Sequence, residues 1–191
     1  MSTPNLPVRY SITNTGSTPA EITQICSTVI SEGGLTNVGQ LRYSSLGVNT
    51  ASEIQANTVG TPYAVCSIRL KPAHESQTAR PVSITINNTT NGDVEWRLHL
   101  QPTLSASLTY FDQYESAVQF GVAQGGQTIT NQGVVVAGGY ISNDLPAQVQ
   151  PLESSRSLGF TLAGSSTEFV LSVTPYTSNQ DVLGGMTWRE Q

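Results

Sequence analysis

Val94, Trp96, Leu98 and Leu100 alternate without a break with Glu95, Arg97, His99 and Gln101. Successive side chains of an extended strand point to opposite faces, so this run presents one apolar face and one polar face. The same period of two returns at Val8, Tyr10 and Ile12 against Arg9, Ser11 and Thr13, and at Val82, Ile84 and Ile86. It returns again at Val118-Phe120-Val122, Leu158-Phe160-Leu162 and Phe169-Leu171-Val173. Only the segment from Ile22 to Ile30 fits both periods: Ile22, Ile25, Cys26 and Val29 have helical spacing, while Ile22-Gln24-Cys26-Thr28-Ile30 fits one face of a strand. Its β-branched content favours a strand with a bulge.

Turn chemistry separates the runs. Asn14-Thr15-Gly16, Gly33-Gly34, Asn87 to Gly92, Gly125-Gly126, Gly138-Gly139 and Gly184-Gly185 read as turns, and Pro81, Pro102 and Pro175 as run boundaries. The polar stretch from Gly47 to Thr61 reads as a long loop. Short strands with turns at this spacing predict an all-β fold, a single-domain antiparallel β-sandwich of jelly-roll type. The expected organisation is an extended N-terminal arm over residues 1–7 and one sandwich domain over 8–191.

Composition narrows the function. Among 191 residues there are 8 Lys+Arg and 13 Asp+Glu, a net charge of −5, and Lys71 is the only lysine. Charged residues make up 11% of the chain, against about 25% in ordinary globular proteins. A binder that neutralises nucleic-acid phosphates needs a stripe of Lys and Arg, so nucleic acid is not an expected partner. The hydrophobic share of 37% is enough for a core and speaks against disorder. The start Met1-Ser-Thr-Pro-Asn-Leu-Pro has no basic, apolar leader, and no apolar run approaches the ~20 residues of a membrane helix. The expectation is synthesis in a cytoplasm, no membrane partner, and Cys26 and Cys66 reduced and buried.

Candidate chemistry is sparse. His74 follows a strand in a polar segment, and His99 falls on the outward register of the Trp96 strand, where it would face solvent or an interface. Asp112 and Glu115 flank Tyr114 but read as solvated loop acids rather than a glycosidase pair. No serine lies in Gly-x-Ser-x-Gly, and Gly121-Val-Ala-Gln-Gly-Gly lacks the ending of a phosphate loop. No catalytic residue, metal or cofactor is expected. What remains is a surface of Ser, Thr, Asn and Gln with tyrosines near turns: Tyr43, Tyr63, Tyr110, Tyr114, Tyr140 and Tyr176. Such a surface suits lateral protein contacts or sugar hydroxyls.

Leu6-Pro-Val-Arg-Tyr-Ser-Ile-Thr-Asn-Thr-Gly, followed by Ile22-Thr-Gln-Ile-Cys-Ser-Thr-Val-Ile-Ser-Glu-Gly-Gly, resembles the opening of structural proteins of tailed bacteriophages, marine and cyanobacterial ones in particular. The resemblance extends more loosely through Ile68-Arg-Leu-Lys, Trp96-Arg-Leu-His-Leu-Gln-Pro and Gly138-Gly-Tyr-Ile. It implies a non-enzymatic virion component, with structural roles for Arg9, Glu32 and Arg69. The expected function is a capsid decoration protein on the outer surface of the head, a homotrimer bound to the major capsid protein. The alternative is a tail or head-fibre module that binds a host surface glycan. The residues expected at interfaces are Pro4, Leu6 and Pro7 of the stiff N-terminal arm, with Tyr43, Tyr114 and Tyr140.

Overall fold

A computed structural model of the chain describes residues 39–49, 53–74, 77–142, 148–151, 156–161 and 164–190. The chain separates into two units, residues 1–37 and 38–191, and every described residue belongs to the second. The arm at residues 1–7, the boundary at residue 8, the strands expected before residue 38, and Cys26 all lie outside the described residues.

The elements follow in order: β1 (Gln40–Ser45), a short helix α1 (Leu46–Asn49), β2 (Ile54–Ala56), β3 (Tyr63–Leu70), β4 (Ala79–Asn88) and β5 (Val94–Leu100). Then come β6 (Thr103–Leu104), β7 (Thr109–Asp112), β8 (Val118–Val122) and β9 (Ile129–Asn131). The chain continues through β10 (Val134–Ile141), β11 (Gln148–Pro151), β12 (Glu168–Pro175) and β13 (Gln180–Glu190). One sheet has the order β1-β13-β4-β11, with β2 also paired to β13; the other has the order β10-β5-β12-β3-β8-β7. All pairings are antiparallel.

The pairs are nested. β1 and β2 pair with β13, β3 with β12, β4 with β11, and β5 with β10. Apart from the excursion β6–β9, the described strands thus form a long antiparallel ribbon wrapped into two facing sheets, a strand order that jelly rolls share. The all-β sandwich read from the alternation is the fold observed.

The core lies between the sheets. Leu98, Leu171, Cys66 and Val122 form one cross-strand row, all fully buried. Gly184 of the opposite sheet meets this row: a Cβ there would stand 2.6 Å from Val65 Cγ1 and 3.2 Å from Leu171 Cδ2. At one end Glu190 ties the sheets together, accepting hydrogen bonds from Trp188 Nε1 at 2.7 Å, Ala117 N at 3.0 Å and Ser116 Oγ. Cys66 is a free, buried thiol, and burial pushes its pKa far above the ordinary value.

Several local expectations are corrected. Gly138-Gly139 and Gly184-Gly185 are inside β10 and β13 rather than in turns. Gly139 is paired with Trp96, whose indole covers it, so a Cβ would lie 2.8 Å from Trp96 Nε1. Pro81 sits within β4, beside the register shift between Thr187 and Trp188, where a missing N–H is tolerated. The stretch Gly47 to Thr61 is not a plain loop, because it holds β2 and most of α1. Leu158 and Phe160 form isolated bridges to Ala79 and Ser166 instead of a strand, and Leu162 lies outside the described residues.

Candidate functional site

The excursion between β5 and β10 builds the site. Its hairpin β7–β8 extends the six-stranded sheet beyond β3, and the ribbon β6–β9 crosses the outer face of that sheet. Gln101 starts the crossing: its φ of 51° is in the left-handed region, which turns the chain out of β5, and its N–H donates to Glu168 O at 2.9 Å. Leu108 and Ile129 of the excursion are buried.

The ribbon explains why the outward register of this sheet is not exposed. Ser67, Val170, His99 and Ser172 are all on that face, and all are fully buried. His99 is therefore neither a solvent nor an interface residue, contrary to its expected position. Its Nδ1 is 2.9 Å from Gln132 O in the returning ribbon, and its Nε2 is 2.8 Å from Ser172 Oγ. A carbonyl can only accept, so Nδ1 carries the proton and Nε2 accepts from the serine hydroxyl. Burial lowers the imidazole pKa, the Gln132 carbonyl opposes this, and Arg97 adds to it. Both side chains are fully buried, and through Gln132 O the pair ties the sheet to the returning ribbon.

Between the ribbon and the sheet is a cavity of 530 Å³, lined by Arg69, Tyr110 and Glu168 below and by Pro102 to Leu104 and Ala106 to Leu108 above. The lower group is assembled by cross-strand register. Tyr110 pairs with Gly121, Gly121 with Ser67, and Arg69 with Glu168. Gly121 is required because the Tyr110 ring lies over it: a Cβ would stand 2.7 Å from Tyr110 Cε1 and 2.2 Å from Ser67 Oγ. Ser67 Oγ donates to Tyr110 Oη at 3.3 Å. Arg69 lies on the exposed side of the ring, its Cζ 3.4 Å from the centroid, and its Nε donates to Gln119 Oε1 at 2.9 Å.

Glu168 is the costly member. Its carboxyl faces the Tyr110 and Ser67 hydroxyls and the Arg69 charge, yet Oε1 is closed off from solvent and accepts no hydrogen bond among the described residues. A buried acceptor left without a donor costs about 1–3 kcal/mol. Burial raises the carboxyl pKa, against the lowering by the hydroxyls and Arg69. Burial also raises the Tyr110 phenol, with Glu168 adding to it. The cluster thus offers a cation, a carboxyl held back from ionising and a phenol, side by side at the floor of a cavity.

The expected interface residues are not brought to one place. Tyr43 is 54% exposed on the outer face of β1, Tyr114 is 84% exposed in the β7–β8 turn, and Tyr140 is 67% exposed on β10. Tyr140 packs against Tyr176, with ring centroids 6.2 Å apart. Pro4, Leu6 and Pro7 lie outside the described residues. His74 is half-buried in the turn after β3, and Asp112 accepts from Gln119 Nε2 at 2.9 Å. Among the described residues no three His, Cys, Asp or Glu side chains converge as a metal site, and no helix is long and apolar enough to cross a membrane.

Sequence reasoning missed the Arg69-Tyr110-Glu168 cluster because its members are 41 and 58 residues apart along the chain. The one available signal was Gly121 within the alternating run Val118-Phe120-Val122, since glycine inside a strand marks a close approach by another group. The chain has no significant match to a protein-family model, a curated protein or a solved structure.

Proposed function

We propose that the chain is a non-enzymatic structural protein of a phage virion: a capsid decoration protein that assembles as a homotrimer on the outer face of the head, against the major capsid protein. The observation that carries this reading is the edge of the six-stranded sheet at β10, which pairs with no further strand among the described residues. β10 ends the sheet, and along it Val134 and Val135 are each 44% exposed and Tyr140 67%. Natural proteins protect edge strands with charge, proline or a covering element, and Val134 to Ile141 has neither charge nor proline. An apolar edge of this kind suits burial against another chain.

Two further features support assembly. The side chains are poor in charge, so copies meet without desolvating many ions. A contact between β10 and a different surface of the next copy closes into a ring when the rotation is one third of a turn. Many such rings joined across capsomers would stabilise the shell by mass action, because they bind the assembled form alone. The resemblance of the Leu6 to Gly34 segment to phage structural proteins is the reason for choosing a virion over other assemblies. The test is to add the purified chain to phage heads that lack it and quantify bound protein against the capsid protein. Saturable binding in constant ratio to the capsid protein agrees with the proposal, and no binding to heads contradicts it.

A further inference from the structure

We propose that the cavity under the β6–β9 ribbon binds a neutral saccharide residue, with Arg69 donating to one ring hydroxyl, Glu168 accepting from the adjacent one, and Leu104, Ala106 and Leu108 packing on the sugar's C–H face. This goes beyond assembly and does not depend on it.

Three observations carry the argument. The volume of 530 Å³ lies within the roughly 300–1,000 Å³ usual for small-ligand sites. The floor places a strong donor and a strong acceptor on cross-strand partners, Arg69 and Glu168, both lining the same cavity. Each sugar hydroxyl both donates and accepts, so two adjacent hydroxyls match a donor and an acceptor held side by side. Glu168 Oε1 moreover lacks a donor among the described residues, and after a small turn of the carboxyl a ligand hydroxyl supplies one. The opposite wall is mixed in the way a sugar is: Thr103 and Ser107 carry hydroxyls, and Leu104, Ala106 and Leu108 are apolar.

The arrangement is also prearranged. Tyr110 supports Arg69 from below, Gly121 leaves room for that ring, and Gln119 holds Nε, so the guanidinium is fixed before a ligand arrives. Ala106 and Ser107 line the cavity, are exposed and carry no core packing.

The experiment titrates the full-length, isotope-labelled chain with the free sugars and methyl glycosides of glucose, galactose, mannose and N-acetylglucosamine, followed by backbone amide NMR. The expected result is saturable binding of at least one sugar with a millimolar Kd and shifts confined to Arg69, Thr103 to Tyr110, and Glu168. Ser107→Trp, which fills the cavity from an exposed position, should abolish binding, and Glu168→Gln should weaken it about tenfold, with both variants keeping the wild-type amide dispersion. Binding of methyl glycosides points to a residue within a glycan chain; binding of free sugars alone points to a soluble monosaccharide. No saturable shift with any of these sugars overturns the proposal. So does binding that survives Ser107→Trp or maps elsewhere. Head binding is a separate readout, so either reading can fail without the other.

Discussion

The Arg69 guanidinium lies over the Tyr110 ring, 3.4 Å from Cζ to the centroid, on a sheet position that only a glycine at 121 leaves open. The stacked pair closes the outer face of β3 and β8 against the cavity. Gly121→Ala would force a methyl into the space of Tyr110 Cε1 and Ser67 Oγ. The expected cost is about 1–3 kcal/mol, the usual range for overpacking, read as a lower denaturant midpoint with an unchanged slope. A midpoint equal to wild type would mean that the ring does not lie over residue 121.

Glu168 gives a pH dependence of defined sign. Its folded pKa is raised above 4.5, so its contribution is fully present below pH 4.5 and is lost as the pH rises through the folded value. Glu168→Gln removes this titration. The variant should therefore gain in thermal midpoint relative to wild type as the pH rises from below 4.5 toward neutral. A difference between the two proteins that stays constant across that range would count against the buried carboxyl.

His99 acts in the opposite direction. Its folded pKa is lowered below 6.5, so its contribution is complete above pH 6.5 and is lost as the pH falls through the folded value. Wild type should lose stability in that window, and His99→Gln should flatten the loss. Ser172→Ala should cost about 1–3 kcal/mol at neutral pH, since it removes the donor to Nε2 inside a closed face.

Trp96 tests the strand register. It is 4% exposed and its neighbour Arg97 is half-buried on the other face, paired with Glu95 Oε1 at 2.8 Å. Trp96→Ala should cost about 3–5 kcal/mol, as a large-to-small change in the core. Gly139→Ala should also destabilise, because the same indole occupies the space of the new methyl.

The sheets were legible in the sequence because each strand has one face toward the core, and alternation records that directly. Trp96, Leu98, Phe120, Leu171 and Val173 are buried as their period requires. What alternation cannot record is a second layer on the polar face. The β6–β9 ribbon covers that face locally, so His99 and Ser172 are buried at positions whose period says solvent. The cluster at Glu168 was hidden for the same reason, since its members become neighbours only once β3, β7 and β12 share a sheet. The glycines of β10 and β13 were read as turns because the sequence does not show the side chain that fills their space.

Assembly through β10 is the central claim, and the mass of the full chain in solution tests it most directly. Light scattering over a concentration series should give three times the mass of one chain. Val135→Lys, which charges the β10 edge at an exposed position, should return the protein to single-chain mass without lowering its thermal midpoint. A single-chain mass at every concentration, or a trimer indifferent to Val135→Lys, would contradict the account.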